Sequence, residues 1–219
     1  PATNPRASVQ EVYDLIMSDL NDAIAVLGSD RENKARINSN VAYGIRARAN
    51  LYMGNWADAA ADAAKAMEGY TPASIDEVST PTFVNADEHN WIWGIILTDD
   101  QAKDRYATSA SWLSSFSASA YTAGAACYAM INKMLYDKIP ATDVRKGWWV
   151  DEKLHSPLLS TISWNGTTGD AISTLFIADV KEPFVPYTNV KFGMKKGIGG
   201  TINSNDFPLM RVEEMILIQ

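Results

Sequence analysis

The sequence has little of what catalysis and metal binding require. Cys127 is the single cysteine, so an internal disulfide is impossible, and its small-residue surroundings favour a buried structural thiol. The two histidines, His89 and His155, do not have metal-ligand spacing, and neither a nucleophile elbow nor a phosphate-binding loop is present. We therefore expect no enzyme activity, no cofactor and no bound metal.

Positive charge is also scarce. The chain carries 19 Lys and Arg against 26 Asp and Glu, a formal net charge of -7. This balance argues against nucleic acid, which requires a basic face, and against electrostatic docking to an anionic membrane surface. No apolar run reaches the roughly 20 residues that span a bilayer. A neutral ligand such as a sugar is not steered by net charge, so the acidity does not exclude it.

Both ends of the sequence look cut. The chain begins Pro1-Ala2-Thr3 with neither an initiator methionine nor a signal peptide, and it ends within the apolar run Met215–Gln219. We interpret the chain as an internal fragment of a larger protein, with N- and C-terminal parts missing.

The first helix is predicted from a capping box and an apolar stripe. Ser8 and Glu11 have the spacing in which each side chain satisfies the backbone amide of the other. Apolar residues then recur from Val9 to Leu27 at the spacing of a helix. Gly28 is predicted to end the helix in a left-handed conformation.

A helix pair is predicted next. Asn38 or Ser39 can cap the second helix, which should stop at Gly54, and the third should run from Trp56 to about Met67. We expect Trp56 to be buried in the corner between the two. The pattern resembles a tetratricopeptide helix pair, although Asn50 stands where that motif prefers an aromatic residue. Small residues should let the helices approach closely: Ala47, Ala59, Ala63 and Ala66.

The middle of the chain is predicted to be rich in loops. Residues 90–97 have the composition of a short buried strand, and a helix is predicted from about Tyr121 to Tyr136. Residues 139–200 contain many prolines and glycines, which favours irregular structure of the kind that often carries function. A last helix is predicted to begin near Leu209.

Tryptophans in the loop-rich region are the candidate ligand-binding residues. The C–H face of a sugar ring stacks on a flat aromatic ring, while amides and hydroxyls bond to its edges. Trp148, Trp149 and Trp164 lie among loop-forming residues, with Asn165 beside the last, and Trp112 is a further candidate. The alternative for each tryptophan is ordinary packing.

Carboxylates are not arranged for glycoside hydrolysis. The adjacent pairs Asp99-Asp100, Asp151-Glu152 and Glu213-Glu214 cannot flank one substrate from two sides, which that reaction requires. Asp143 and Arg145 could contact ligand. In a loop, however, such a pair more often forms hydrogen bonds to backbone groups.

Four segments carry a resemblance to a known family: Arg6–Leu20, Arg48–Ala63, Leu135–Arg145 and Asp206–Ile218. In this order they resemble the SusD/RagB family of outer-membrane nutrient-binding lipoproteins. The last segment is similar to the family pattern almost residue for residue, and in it Arg211 and Glu213 are expected to be buried polar anchors.

The resemblance implies a mainly α fold, with tetratricopeptide-like helix pairs packed against a loop-rich half. We expect a single SusD-like domain fragment, with a helical part at 1–70, a loop-rich ligand-binding part at 71–205, and the start of a further helix at 206–219. It also implies cell-surface glycan binding, delivery to a SusC-like TonB-dependent transporter, and outer-membrane attachment through a lipid anchor that this sequence does not contain.

Two other functions remain open. A RagB-type receptor would bind peptide or glycoprotein, and would favour a charged cleft over one lined by tryptophan. A tetratricopeptide scaffold would bind only proteins, and would need further helix pairs with a period of about 34 residues. The sequence contains one such unit.

Overall fold

The structure, a computed structural model, describes residues 6–102, 130–161, 163–164, 167–168, 185–193, 195 and 204–219, with the backbone alone at 160–161, 163–164 and 167–168. The chain forms two compact units. The first unit comprises Pro1–Pro72, His89–Gly94 and Pro208–Gln219, and the second comprises Ala73–Glu88 and Ile95–Phe207. In the described residues, every helix falls short of what crossing a bilayer requires in length and apolar character.

Helix α1 spans Val9–Val26 and begins as the sequence predicts. The Ser8 hydroxyl accepts from the Glu11 amide at 3.2 Å, and the Glu11 carboxylate accepts from the Ser8 amide at 2.7 Å, which completes the capping box. The helix ends differently. Leu27 is extended, and the Gly28 carbonyl accepts from the Ser39 amide, so a left-handed glycine is not what turns the chain.

The apolar stripe of α1 is only partly covered. No residue of this helix is fully buried, and Val9 is 75 % exposed. The stripe is half-buried from Ile16 onwards, where α1 packs against the next helix along the chain, and its first turn is exposed.

Helices α2, Ser39–Met53, and α3, Trp56–Ala66, form the predicted pair. Asn38 caps α2 by accepting from the Val41 amide at 3.2 Å, and Gly54 ends it at a φ of 80°. This left-handed angle is one that glycine adopts at little cost, and it allows α3 to start two residues later. The predicted small residues are all buried between helices: Ala47, Ala59, Ala63 and Ala66.

A polar network replaces the aromatic residue of the tetratricopeptide motif. Asn50 is buried and its amide donates to an oxygen of Asp62 at 3.0 Å. Arg46 approaches the same carboxylate side-on, at 2.8 Å through Nε and at 2.6 Å through Nη2. Because each partner satisfies the others, these groups can lie between α2 and α3 without leaving an unpaired charge.

Trp56 does not fill the corner of the helix pair. Its side chain is 66 % exposed, so the expectation that it is buried is wrong. The physical reason is that small buried alanines occupy the space between α2 and α3, and the indole follows the left-handed turn at Gly54 on the exposed side of the pair.

Strands β1, Trp91–Ile95, and β4, Phe207–Arg211, pair in a two-stranded sheet, and helix α7, Val212–Ile218, follows β4 directly. The strand near residue 91 is confirmed, whereas the helix expected from Leu209 begins only at Val212. Pairing with β1 satisfies the β4 backbone, and the Val212 amide donates to the Asn90 carbonyl at 2.9 Å.

The core of the first unit is closed by the segment that contains β4 and α7. Gly44 in α2 lies against Met210, where an added Cβ would come 2.6 Å from the methionine methyl carbon. Arg48 in α2 binds both carboxylate oxygens of Glu214 at 2.6 Å. The residues buried in this core are Val41, Ala47, Ala63, Ala66, Ile92, Met210, Val212 and Met215.

The expected polar anchors on this segment are half-buried. Arg211 lies 3.6 Å from a carboxylate oxygen of Glu213, and each side chain is 29 % exposed. The Asn90 amide donates to Glu213 at 2.8 Å, which ties the start of β1 to α7.

The described part of the second unit consists of short elements joined by loops. Its α-helices are α4, Ile75–Val78, α5, Asp99–Ala102, and α6, Lys133–Lys138; its 3-10 helices are Val144–Trp148 and Pro157–Thr161. Strands β2, Ser163–Trp164, and β3, Thr167–Thr168, pair antiparallel. The helix expected at 121–136 is only partly confirmed: residues 133–136 belong to α6, but residues 130–132 are not helical, because Met130 pairs with Thr188 in a β-bridge. Residues 121–129 lie outside the described ranges.

A buried carboxylate organises the second unit. Asp206 is almost fully buried, and its oxygens accept from the Ala86 amide at 2.9 Å, the Leu97 amide at 2.8 Å and Lys195 at 2.9 Å. Its own amide donates to the Val84 carbonyl. Three loop segments are thereby tied to one residue, which gives this irregular unit a fixed framework.

Candidate functional site

A cavity of about 660 Å³ lies within the second unit. Its size falls in the range typical of small-molecule sites, roughly 300–1,000 Å³. It combines an aromatic surface with polar and charged groups, notably Tyr136, Asp143, Lys146, Trp149 and Asp151.

The wall of the cavity is built by the two 3-10 helices. The Asp143 carboxylate caps the first of them by accepting from the Arg145 amide at 2.9 Å. Gly147 is buried, and a Cβ added there would lie 2.9 Å from side-chain atoms of Leu158 and Pro157. Ser156 donates to the Gly147 carbonyl. Glycine is therefore needed where the two helices meet.

Trp149 lines the cavity. It directly follows the first 3-10 helix, and its backbone forms a bridge with Asn189. The side chain is half-buried, and its ring centroid lies 6.2 Å from that of the Trp148 ring, so the indole is packed on one side while part of it stays accessible. A ring held in this way suits stacking on a flat apolar ligand face, because little side-chain freedom is lost on binding.

Trp148 is held by the protein itself. Its indole N–H donates to the Val78 carbonyl at 2.8 Å, and the Lys191 ammonium lies 4.0 Å from its ring centroid. Lys191 also lies 4.5 Å from the Phe83 ring centroid. Trp148 is not part of the cavity lining, so of the two adjacent tryptophans Trp149 is the one that a ligand in the cavity can reach.

The remaining predicted site residues are Trp164, Asn165 and Trp112. Trp164 is described through its backbone in β2, where it lies opposite Thr167. Asn165 and Trp112 lie outside the described residues. Their participation in ligand binding stays a prediction.

Two polar groups that face the cavity influence each other. Burial raises the pKa of the Tyr136 hydroxyl, and the negative charge of Asp151 raises it further. Asp151 is itself oriented by the backbone, since its Oδ1 accepts from the Lys153 amide at 2.7 Å and the His155 amide at 2.9 Å. A phenol that keeps its proton and a fixed carboxylate therefore line the same space.

Lys146 brings a positive charge to the cavity wall. Its ammonium donates to the Ile139 carbonyl at 2.9 Å and lies 4.9 Å from the Tyr136 ring centroid. An ammonium carries three donors. Lys146 therefore retains donors beyond the one that holds Ile139.

Asp143 and Arg145 satisfy each other. Nε and Nη2 of Arg145 lie 3.1 and 2.6 Å from Oδ2 of Asp143, and the hydrogen bonds from Arg145 lower the pKa of Asp143 to about 2. The prediction that this loop pair satisfies the backbone is confirmed, because Asp143 also accepts from the Arg145 amide.

Sequence reasoning did not single out Tyr136, Lys146 and Asp151 as site residues. Tyr136 lies in a segment used only for the family resemblance, and Asp151 was considered only as half of an adjacent carboxylate pair. The sequence contains no local signal that brings these three residues to one site. In the described residues, no group of three metal-ligating side chains occurs.

A smaller hollow of about 310 Å³ lies on the first unit, between the start of α1 and the α2–α3 corner. Tyr13, Tyr52 and Met53 line it, together with the amides of Gln10 and Asn55. It has less than half the volume of the larger cavity and no charged group in its lining, so the larger cavity is the better candidate.

No protein-family model matches the sequence, and none of the curated proteins matches it. Solved structures do match. The chain aligns over 98% of its length with a SusD-like carbohydrate-binding protein from Bacteroides vulgatus, at a TM-score of 0.63 and 24% identity. It aligns over 97% of its length with a SusD superfamily protein from Bacteroides thetaiotaomicron, at a TM-score of 0.58 and 17% identity.

A third match is surface glycan-binding protein A from Bacteroides thetaiotaomicron, solved in complex with laminarihexaose. The whole chain aligns with it, at a TM-score of 0.57 and 18% identity. The aligned parts make up 40%, 42% and 51% of the three matched chains, so this chain spans about two fifths to one half of their length. The likenesses confirm the predicted mainly α, SusD-like fold.

Proposed function

We propose that the chain, which has the SusD-like fold, is part of a glycan-binding protein and holds sugar in the cavity beside Trp149. One observation carries the proposal: a half-buried aromatic ring and hydrogen-bonding groups of both polarities line the same cavity of about 660 Å³. Oligosaccharides present apolar C–H faces and polar edges, so they match such a lining.

Each lining residue has a distinct role in this proposal. Trp149 supplies the ring on which a sugar face stacks. Asp151 accepts from sugar hydroxyls, while Lys146 and the Thr142 hydroxyl donate to sugar oxygens. The Tyr136 hydroxyl can do either. None of these roles requires a cofactor.

The cavity should bind without cleaving. A glycosidase needs a carboxylic acid with a raised pKa to protonate the leaving oxygen. The pKa of Asp143 is shifted the opposite way, to about 2, and Arg145 occupies its oxygens. Prolonged incubation with oligosaccharides should therefore produce no new reducing ends. If the native chain produced reducing ends and a variant with Asp151 replaced did not, this part of the proposal would be overturned.

The role of the whole protein follows from the fold likeness alone. We propose display on the cell surface through a lipid anchor, and transfer of bound glycan to a SusC-like TonB-dependent transporter. Co-purification of the full-length protein with such a transporter tests this role, independently of the cavity.

The proposed site can be tested with matched tryptophan variants. A glycan array first identifies a bound oligosaccharide, and calorimetric titration then compares Trp149→Ala with Trp56→Ala. Trp56 is an exposed tryptophan of the first unit, so it controls for loss of any indole. Trp149→Ala should weaken binding about tenfold or more, equivalent to about 1.4 kcal/mol, and Trp56→Ala should leave the affinity unchanged.

A second variant guards against misfolding of Trp149→Ala. Tyr136→Phe removes one hydroxyl and keeps the ring, so it should weaken binding without changing the far-ultraviolet circular dichroism. Equal affinities for the native chain, Trp149→Ala and Tyr136→Phe would place the sugar elsewhere. A chain that binds peptides on a parallel array and no glycan would have the RagB-type function instead.

A further inference from the structure

We infer that Tyr187 is a positioning residue of the sugar site, which fixes Tyr136 and Trp149 relative to each other from outside the cavity. The inference rests on the proposed glycan-binding function and adds to it a residue that does not touch the sugar. It follows from the hydrogen bonds, the ring contact and the backbone conformation of Tyr187.

The backbone of Tyr187 connects the two parts of the lining that carry aromatic rings. Its amide donates to the carbonyl of Val150 at 3.0 Å, directly after Trp149. Its carbonyl accepts from the amide of Ile131 at 3.1 Å, just before α6. One residue therefore links the chain at Trp149 to the helix that carries Tyr136.

The side chain of Tyr187 supports Tyr136 directly. The two ring centroids lie 5.2 Å apart at an interplanar angle of 56°, a separation at which aromatic rings attract each other. Tyr136 lines the cavity, whereas Tyr187 is not part of the described lining. Tyr187 therefore restricts the movement of a ring of the site without contacting the ligand itself.

The backbone of Tyr187 has a conformation that tyrosine adopts only at a cost. Its φ is 69°, in the left-handed region, where a Cβ crowds the adjacent backbone and glycine is favoured. Strain of this kind persists where surrounding contacts fix the residue, and it clusters at ligand-binding sites. A glycine would remove the strain and also the ring that supports Tyr136, so substitutions can separate the two.

A fixed Tyr136 favours binding, because a ring that moves in the free protein has to be ordered when the sugar binds. Ordering one such side chain costs affinity by about threefold to tenfold. Tyr187 orders Tyr136 before the ligand arrives. Loss of the Tyr187 ring should therefore weaken binding by about that factor.

Substitutions at Tyr187 separate the ring from the backbone. In calorimetric titration with an oligosaccharide selected on the array, Tyr187→Phe keeps the ring and should bind about threefold to tenfold more tightly than Tyr187→Ala or Tyr187→Gly, which both lose it. In urea denaturation, Tyr187→Gly should be more stable than Tyr187→Ala, because only alanine retains the strain. Affinity should thus follow the ring, while stability also follows the backbone.

A purely structural role predicts a different order. Affinity would then follow stability, and Tyr187→Gly would bind clearly more tightly than Tyr187→Ala, which would overturn the inference. Equal affinities for the native chain and Tyr187→Ala would also overturn it and would leave glycan binding intact.

Phe192→Ala is the matched control. Phe192 is a half-buried aromatic residue of the same chain segment, but it packs on Phe83, at 5.4 Å between ring centroids, and does not belong to the cavity lining. Its replacement should leave the affinity unchanged. A loss as large as that of Tyr187→Ala would assign the effect to general packing of the segment, against the inference.

A measurement without ligand distinguishes this inference from the proposed function. In ¹H–¹³C NMR spectra, the Tyr136 ring signals of the native chain should be displaced by the neighbouring Tyr187 ring, and they should move towards unstructured positions in Tyr187→Ala and Tyr187→Gly. Unchanged Tyr136 signals would overturn the inference even if glycan binds. If no glycan on the array binds to the native chain, the proposed function fails whatever these signals show, and the positioning role fails with it.

Discussion

Two of the three tryptophans of the first unit, Trp91 and Trp56, provide a direct test of its packing, because the first is buried and the second is exposed. Trp91 in β1 is fully buried, whereas Trp56 at the start of α3 is 66 % exposed. Both belong to the same compact unit, so their replacements should be reported by the same unfolding transition. We expect Trp91→Ala to destabilise that unit far more than Trp56→Ala.

The magnitudes follow from the burial. Removing a buried tryptophan costs about 3–5 kcal/mol, so Trp91→Ala should approach that range. Trp56 is 66 % exposed, so only about a third of its roughly 200 Å² of surface is covered. At about 25 cal/mol per Å², the hydrophobic stabilisation lost in Trp56→Ala is about 1.7 kcal/mol. The compact unfolded chain and the higher helix propensity of alanine reduce this to about 1 kcal/mol.

Urea denaturation followed by far-ultraviolet circular dichroism measures both values without depending on tryptophan fluorescence. A linear dependence of the free energy of unfolding on urea, with equal slopes for both variants, makes the comparison valid. If Trp56→Ala lost as much stability as Trp91→Ala, the exposed corner described above would be wrong. A Trp91→Ala variant of native stability would show that β1 does not lie in the core.

Three further predictions concern other parts of the structure. Asp62→Ala should destabilise the first unit by about 3 kcal/mol in the same urea assay, because Arg46 would keep a largely buried charge without its partner; a loss under about 1 kcal/mol would mean that water replaces the carboxylate. The pKa of Asp143 lies at about 2, below its ordinary value of 3.8, so stability from its bonds to Arg145 should be complete above pH 3.8 and lost as the pH falls through 2. In an NMR titration, Arg145→Ala should return the pKa of Asp143 towards 3.8. An unchanged pKa in that variant would contradict the assigned cause. Gly44→Ala should lower stability by about 1 kcal/mol, since crowding against the buried methionine of β4 at about 1–3 kcal/mol outweighs the helix propensity gained; a more stable variant would show that this methionine moves aside freely.

Local signals in the sequence predicted the helix pair well. The capping box at Ser8, the cap at Asn38 and the left-handed turn at Gly54 each depend on neighbours within a few residues, so their physics is contained in a short stretch of sequence. The close approach of α2 and α3 was predicted for the same reason, because alanines recur on the facing sides of both helices.

Features that depend on distant partners were predicted less well. Residues 207–211 continue into a helical pattern, and only their pairing with β1 makes them a strand. The exposure of Trp56 depends on how tightly the alanines of α2 and α3 close, which an aromatic residue at a corner does not reveal.

The candidate site shows the same division. Trp149 was predicted because an aromatic residue among loop-formers is unusual in a core. Tyr136 and Asp151 come from either side of it in sequence, and only the approach of α6 and the two 3-10 helices places them in one cavity. Their spacing along the chain alone does not predict that encounter.

The central claim is that sugar binds in the cavity lined by Trp149, Tyr136 and Asp151. The most direct measurement is a ¹H–¹⁵N NMR titration of the tryptophan indole groups with an oligosaccharide selected on the array, with signals assigned by single replacements. We expect the Trp149 indole signal to shift in proportion to the bound fraction, while the Trp56 signal stays in place. A titration that shifts Trp56 and leaves Trp149 unmoved would contradict it.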